Sequence, residues 1–518
     1  MKTKYKKIIF ILLLTIISSL PIFFKNQAIV QGHDLNFHLK RILGVVDNIN
    51  ILKTSPIYYN YLNHFGYGNG LFYPDIFLYI PALIYKLGFS IIDSYKIFIL
   101  IINLLSILSI RICLKNIIKN EKNTNIGMVL YALSSYRFTD MYTRAALGES
   151  LAFIFLPLII LGLYKIFYEN EKQGYYLAIG LIGLMLSHVI TTYIMIYVIV
   201  IFSIINYKCL KDKKRLKELI INIVFSMLIT SFFWMPMLEQ MITNSFNLNS
   251  NIEIFENSVP LIFLLLDVQT EFSNMWIPTG LGLMYFIVIP LYIKTKEKNK
   301  FINSICFIGI SAILLSSIKI IWRIKLLYKL LSVIQFPWRL YTIATVCFII
   351  VTCYFIDKIK KLQKPIIIYI ISVFIMNCIL TFFFPTIGNV LRENSIMCGE
   401  YLPIELKDNY EESINNYKNK NIEYKFENEK IIVNIIKKTD NIELPLIYYK
   451  GYKAESNNTN LKINKSSKGL VNVKLEDNIE KIIVYYEKTK INKIGNNISL
   501  LSLLFFMYIL KKTKQNNK

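Results

Sequence analysis

The sequence predicts a polytopic α-helical membrane protein of about twelve transmembrane helices, carrying an extracytoplasmic β-sandwich-like domain near its C-terminus. Three observations predict it. Hydrophobic residues make up 54% of the 518 positions and charged residues only 18%, more apolar surface than a soluble chain of this length needs. Apolar segments near membrane length recur along the chain, separated by short basic loops. From Pro385 to Asn492 the texture turns polar, with short alternating runs bounded by turn residues.

A helix needs about 20 apolar residues to cross the hydrocarbon core. The first such segment, 8–24, follows the basic stretch Met1-Lys2-Thr3-Lys4-Tyr5-Lys6-Lys7. It ends in Ser18-Ser19-Leu20-Pro21 without a small-x-small cleavage site, so it is expected to remain as a signal anchor. Further segments fall near 93–113, 125–140, 150–167, 174–189, 190–206, 218–236, 280–294, 301–317, 338–356, 365–384 and 494–511. With the N-terminus inside, strict alternation puts every short basic loop on the cytoplasmic side. These are Lys115 to Lys122, Lys208 to Lys217, Lys294 to Lys300, Lys358 to Lys364 and the tail from Lys511.

Alternation holds only if the apolar stretch Ile76 to Gly88 does not cross. At 13 residues, with Pro74 before it and Pro81 within it, this stretch reads as a juxtamembrane or re-entrant helix. The chain then divides into a transmembrane region, 1–384, whose large first external loop covers 25–92, a β-domain, 385–492, and a final helix with a basic tail, 493–518. A second external segment covers about 237–279. A third, near 319–337, has an amphipathic pattern. Within the β-domain, Leu470 to Leu475 alternates, and Lys430 to Ile436 and Lys481 to Tyr486 are rich in β-branched and aromatic residues.

The formal net charge of +25 invites a nucleic-acid reading. The lysines, however, cluster between apolar segments as cytoplasmic loops do, and no nucleic-acid partner is expected. Of seven cysteines, only Cys398 falls in the long polar region, so one chain has no external disulfide framework. No phosphate-cradling glycine loop, GxSxG elbow or HExxH motif is present.

Chemistry concentrates in Gln31-Gly32-His33-Asp34-Leu35-Asn36-Phe37-His38-Leu39-Lys40-Arg41, just beyond the first apolar segment. Asp34 is placed to act as a base or to orient an acceptor at the outer interface, and a solvated loop acid is the bland alternative. His33 and His38 are five apart, not at the i, i+4 spacing of two metal ligands on one helical face. A shared divalent metal is therefore weakly supported, and the cofactor stays unassigned. His38 is read as orienting Asp34 or a substrate phosphate, and His33 and Arg41 as candidates to bind that phosphate.

A second concentration runs from Tyr136 to Glu149, between two crossings with almost no loop. Arg137, Arg144 and Glu149 thus lie near the membrane plane, where charges are costly and are paired or functional. Arginine there suits a lipid-linked phosphate, since its planar fork can hold two oxygens. An Arg144–Glu149 pair that fixes helix packing is the structural alternative. Gln335-Phe336-Pro337-Trp338-Arg339 repeats the theme, with Arg339 either binding phosphate or snorkelling to headgroups. His188 closes a helix at the outer face, as a ligand or as a packing residue.

These residues carry a resemblance. The runs GHDLNFHLKR (32–41), GYGNGLFYPDIFLYIPALIYKLG (66–88), SYRFTDMYTRAALGE (135–149), LSH (186–188), QFPWR (335–339) and EYLP (400–403) resemble bacterial multispanning proteins labelled 6-pyruvoyl-tetrahydropterin synthase related. Leu444 to Tyr452 and Lys468-Gly469-Leu470 resemble the external β-domain of YfhO-like proteins. Such proteins in turn resemble the GT-C class of glycosyltransferases, which use a polyprenyl-phosphate-linked sugar and place a catalytic acid in the first external loop. The resemblance implies Asp34 as that acid and Arg144 and Arg339 as ligands of the lipid phosphate. No paired Asp-x-Asp or Glu-x-Asp stands here, because Gly32 occupies the partnering position.

The expected function is transfer of a lipid-linked sugar to an envelope glycan or protein acceptor, at the outer face of the cell membrane. The competing readings are a transporter or flippase of lipid-linked glycans, which would need polar residues through the midplane of several helices, and a non-catalytic envelope assembly protein.

Overall fold

In the computed structural model the described residues are 2–516 apart from 26–27, 51–54, 170–172, 248–253, 256, 266–269, 273–274, 278–279, 297–298, 389–398, 407–409, 428, 438, 458 and 477–478. Cys398 and part of the expected 237–279 segment lie outside the described residues.

Six helices among the described residues are long and apolar enough to cross a bilayer: Ile91–Ile117, Leu147–Glu169, Lys300–Ser317, Pro337–Phe355, Lys360–Phe382 and Lys490–Lys512. A seventh span is added if Lys213–Ile229 and Ser231–Thr243, bent by 70°, form one broken crossing. The count of twelve is not reached by length, because several apolar stretches break early. The 125–140 stretch stops as a helix at Ala132 and restarts at Ser135. Tyr175–Met185 and Leu283–Lys294 are short apolar helices, and so is Ile76–Lys86, the stretch that was not expected to cross.

Burial ranks the spans. The most apolar stretch of Pro337–Phe355 is 94% buried and that of Leu147–Glu169 is 83% buried, so these two form the centre. Only 17% of the most apolar stretch of the last helix is buried, and Leu500, Leu501 and Leu504 face outwards as a lipid-facing surface requires. Leu147–Tyr164 packs on Tyr175–Met185 through small residues: a side chain on Gly183 would collide with the Phe155 ring, and one on Gly162 with the Leu177 backbone.

The C-terminal strands form two antiparallel sheets. Five strands run in the order Ile422–Glu427, Lys430–Ile435, Lys481–Tyr486, Tyr452–Ser456 and Thr459–Leu461. Three more run in the order Ile463–Lys465, Leu470–Lys474 and Asn441–Ile447. Alternate strand residues face inwards: Ile431, Val433, Ile482 and Val484 from one sheet meet Leu444, Leu446, Val471 and Val473 from the other in one core.

That core is not confined to the strands. Ile57, Tyr58, Tyr61, Tyr67 and Phe72, from the long segment after the first helix, are buried in it beside Tyr449 and Tyr452. The amide of Ile447 donates to the Phe65 carbonyl at 2.9 Å, and the Tyr67 hydroxyl donates to the Glu400 carbonyl at 2.8 Å. The β-rich region is therefore seated on this segment as well as tethered by the last helix. A two-residue antiparallel pairing of Ile29–Val30 with Thr386–Ile387 closes the same junction.

Candidate functional site

The polar stretch enters its helix against a tight turn. The His33 amide donates to the Thr143 carbonyl at 3.2 Å and the Asp34 amide to the Arg144 carbonyl at 2.8 Å. Gly32 permits this approach, since a Cβ there would lie 2.5 Å from that of Ala145. The turn itself is a π-helical segment, Thr139–Thr143, followed by Ala145 in the left-handed region at φ 51°. Asp34 then accepts the His38 amide at 3.1 Å through its carbonyl, which starts the Leu35–Asn50 helix. Its own carboxylate is half-buried and makes no hydrogen bond or ion pair among the described residues. His33 beside it is exposed.

Behind Asp34 lies a buried charge cluster. Arg144 places Nη1 2.8 Å from Glu149 Oε2 and 2.5 Å from Asp140 Oδ1, with Nη2 3.2 Å from Glu149 Oε1. Arg339 sends Nε to the same Glu149 oxygen at 2.7 Å, and its Nη1 donates to Gln335 Oε1 and to the Ile334 carbonyl. The expected Arg144–Glu149 pair is thus present, and one carboxylate holds two guanidinium groups. Loss of any member of such a buried ion cluster leaves its remaining charges less well compensated.

His38 and Arg41 form a second layer on the same helix. The Leu147 amide donates to His38 Nε2 at 3.3 Å, and His38 Nδ1 lies 3.4 Å from Arg41. Burial, and then the positive charge of Arg41, hold the His38 imidazole well below its usual range, so the ring is neutral. Arg41 donates to Asp75 Oδ1 at 2.8 Å and to the Pro74 carbonyl, and Asp75 also accepts the Tyr58 hydroxyl. The Arg41 guanidinium stacks 3.8 Å above the Tyr73 ring, which also neighbours His38 and His188. Burial raises the Tyr73 hydroxyl to about 12. Glu400, from the EYLP run, stands close enough to feel Arg339 and Asp34. Burial raises its carboxyl above the usual range.

The structure therefore brings Asp34, His38, Arg41, Arg144, Glu149, His188 and Arg339 into one region and leaves Arg137 apart. Arg137 is buried elsewhere, donating to Asn103 Oδ1 and to the Ala132 carbonyl, against the Tyr131 ring. His188 caps the Val189–Ile205 helix, its Nδ1 accepting from the Thr191 amide. Asp75, Tyr73, Asp140 and Glu400 went unassigned in the sequence. Asp75 and Tyr73 sit in the 66–88 run and Glu400 in the 400–403 run, but nothing local marks them as partners of residues so far away.

The donor set does not suit a divalent ion. Gly32 and Asn36 flank Asp34 where a second carboxylate would stand, and no three His, Cys, Asp or Glu side chains among the described residues are close enough to share one.

Residues 71–384 match the sequence pattern of a family described as 6-pyruvoyl-tetrahydropterin synthase related domain; membrane protein. That span includes Asp75, Arg144, Glu149, His188 and Arg339, and begins after Asp34 and His38. A Lactococcus lactis subsp. cremoris (strain MG1363) protein, described as uncharacterized, is 25% identical over 341 residues, 59% of this chain. The chain spans about half the length of that relative, 53%. Among solved structures, the arabinofuranosyltransferase AftD from Mycobacteria overlays with a TM-score of 0.45 at 12% identity, covering 74% of this chain and 27% of that one.

Proposed function

The chain belongs to the 6-pyruvoyl-tetrahydropterin synthase related family of membrane proteins, and we propose that it is a GT-C-type glycosyltransferase of the cell membrane. It takes a sugar from a polyprenyl-phosphate-linked donor and passes it to an envelope glycan or protein on the outer face. The observation that carries this reading is the Asp34 carboxylate, half-buried and without a partner among the described residues, fixed through its backbone to the turn that holds Arg144.

The arrangement performs a single displacement. Asp34 takes the proton of an acceptor hydroxyl, whose oxygen bonds to the anomeric carbon as that carbon's bond to the phosphate oxygen breaks. The electron pair leaves with the lipid phosphate, and configuration at the sugar inverts. Arg144 and Arg339 steady the departing charge, with Glu149 fixing both forks in advance so that no reorganisation is needed during reaction. His33 is exposed next to Asp34, on the side from which the donor would approach, whereas Arg41 and Arg137 are buried against internal partners. His38 holds the start of the Leu35–Asn50 helix against Leu147, and so sets the aim of Asp34. No step is routed through a metal.

The test is turnover of a polyprenyl-phosphate sugar by the protein in vesicles. Asp34→Asn keeps size and hydrogen-bonding capacity but removes the basic site, and is expected to lower transfer by about 10²-fold or more with the folded amount unchanged. Wild-type turnover by a well-folded Asp34→Asn variant removes the assignment. Movement of intact lipid-linked glycan across the vesicle without sugar release turns the reading to a flippase.

A further inference from the structure

We propose that a cavity between the Leu35–Asn50 helix and the β-rich region binds a neutral or amine-bearing sugar unit. The cavity has a volume of about 260 Å³, near the lower bound of small-molecule sites, roughly 300 Å³. It lies about 20 Å along the helix from Asp34, at a rise of about 1.5 Å per residue.

Its lining has the two things a sugar ring requires. Asp47, Asn48 and Asn60 offer acceptors and donors for hydroxyl groups, and Tyr59 and Phe426 offer flat apolar faces for the C–H side of a ring. Asn60 donates to Asp47 Oδ2 at 2.9 Å, which fixes that carboxylate on the cavity wall. Charge then selects among sugars. Glu429 adds to Asp47, while Glu427 is paired with Lys425 at 2.6 Å and the lining cation Lys430 lies 5.2 Å from the Tyr485 ring centroid. An acidic wall disfavours a phosphate or a uronate, and so disfavours the donor, while it accepts neutral or amine-bearing units.

The cavity is built rather than incidental. Leu62, Asn63 and His64 are three consecutive non-glycine residues at φ 56°, 52° and 68°, a left-handed turn that such residues rarely adopt. The β-rich region holds it there: Asn63 Nδ2 donates to Asn415 Oδ1 at 2.8 Å, and the His64 ring lies 5.3 Å from Phe426. On the other wall, Gly44 lets the helix lie against Tyr58, since a Cβ would stand 2.8 Å from that ring. The Tyr58 hydroxyl ends on Asp75, the partner of Arg41, so cavity and charge cluster share one rigid helix. Assigning the bound unit to the acceptor rests on the transferase reading above; sugar binding itself does not.

The experiment is saturation-transfer NMR on the full chain in lipid nanodiscs, with cellotriose, the chitosan trisaccharide and trigalacturonate as probes. Binding is expected for cellotriose or the chitosan trisaccharide and not for trigalacturonate. Asp47→Asn combined with Phe426→Leu, which keeps bulk but loses the flat face, is expected to weaken binding at least tenfold with unchanged thermal unfolding. Asp34→Asn is expected to bind as wild type does, so loss of transfer and loss of binding separate. The proposal is overturned if neither favoured probe binds, if trigalacturonate binds equally well, or if the double variant binds as tightly as wild type.

Discussion

Glu149 is the residue on which the buried charges converge, because among the described residues it alone pairs with both Arg144 and Arg339. Glu149→Gln would leave Arg339 without its carboxylate and Arg144 with Asp140 alone, whereas losing either arginine leaves the carboxylate one cation. The expected order of destabilisation is therefore Glu149→Gln above Arg144→Ala or Arg339→Ala, at about 3–5 kcal/mol for the first. Thermal unfolding in detergent ranks them, and a double-mutant cycle on Arg144 and Glu149 should give a coupling of about 1–3 kcal/mol; strict additivity would argue against the pair. His38 supplies a pH dependence. Its imidazole is held below the usual value near 6.5, first by burial and then by Arg41, so the unfolded chain binds a proton that the fold does not. The stability it contributes is complete above pH about 6.5 and lost as pH falls below that. His38→Gln should flatten the decline of Tm between pH about 6.5 and 5, and an unchanged slope would show that the ring is already charged. Arg144 with Glu149 was legible in the sequence, being five residues apart in a short turn. Arg339 with Glu149, 190 residues apart, was not.

Among the elements, the π-helical turn and the start of the Leu35–Asn50 helix act as one unit, joined by the amides of His33 and Asp34. Gly32→Ala would press a methyl group onto Ala145 and move Asp34 away from the Arg144 carbonyl. Stability should fall by about 1–3 kcal/mol, as for other overpacked sites. Turnover should fall more steeply, by about 10²-fold, as for a catalytic group misplaced by about 1 Å. Unfolding and transfer measured on the same preparation separate these effects, and proportionate losses would mean that Gly32 only supports the fold. Long helices and alternating strands were legible, because hydropathy and period-two patterning are local. The break at Leu133–Ser134 and the 70° bend after Ile229 were not, because both are decided by what packs against them. At the bend the Ser231 hydroxyl donates to the Gly495 carbonyl of the last helix, a partner that no window around Ser231 contains.

For the whole molecule, the orientation proposed from the basic loops puts Lys213 in the cytoplasm and Asn457 outside. Single cysteines at these positions, in an otherwise cysteine-free chain, should label in intact cells at 457 and not at 213; the reverse would invert the protein and move Asp34 to the inner face. The sequence by itself determined that this is a membrane protein with a C-terminal β-rich region, because burial in lipid and strand alternation each leave a signature along consecutive residues. It also marked Asp34, Arg144 and Glu149, since charge beside long apolar runs is conspicuous wherever it stands. Only the tertiary structure decided that Arg339 and Arg144 share one carboxylate, that Arg41 is held by Asp75 while Arg137 turns away to Asn103, and that the first long segment shares a core with the strands. Those facts depend on which side chains meet across hundreds of residues, and contact at that range is set by packing of the whole chain, which no local pattern records.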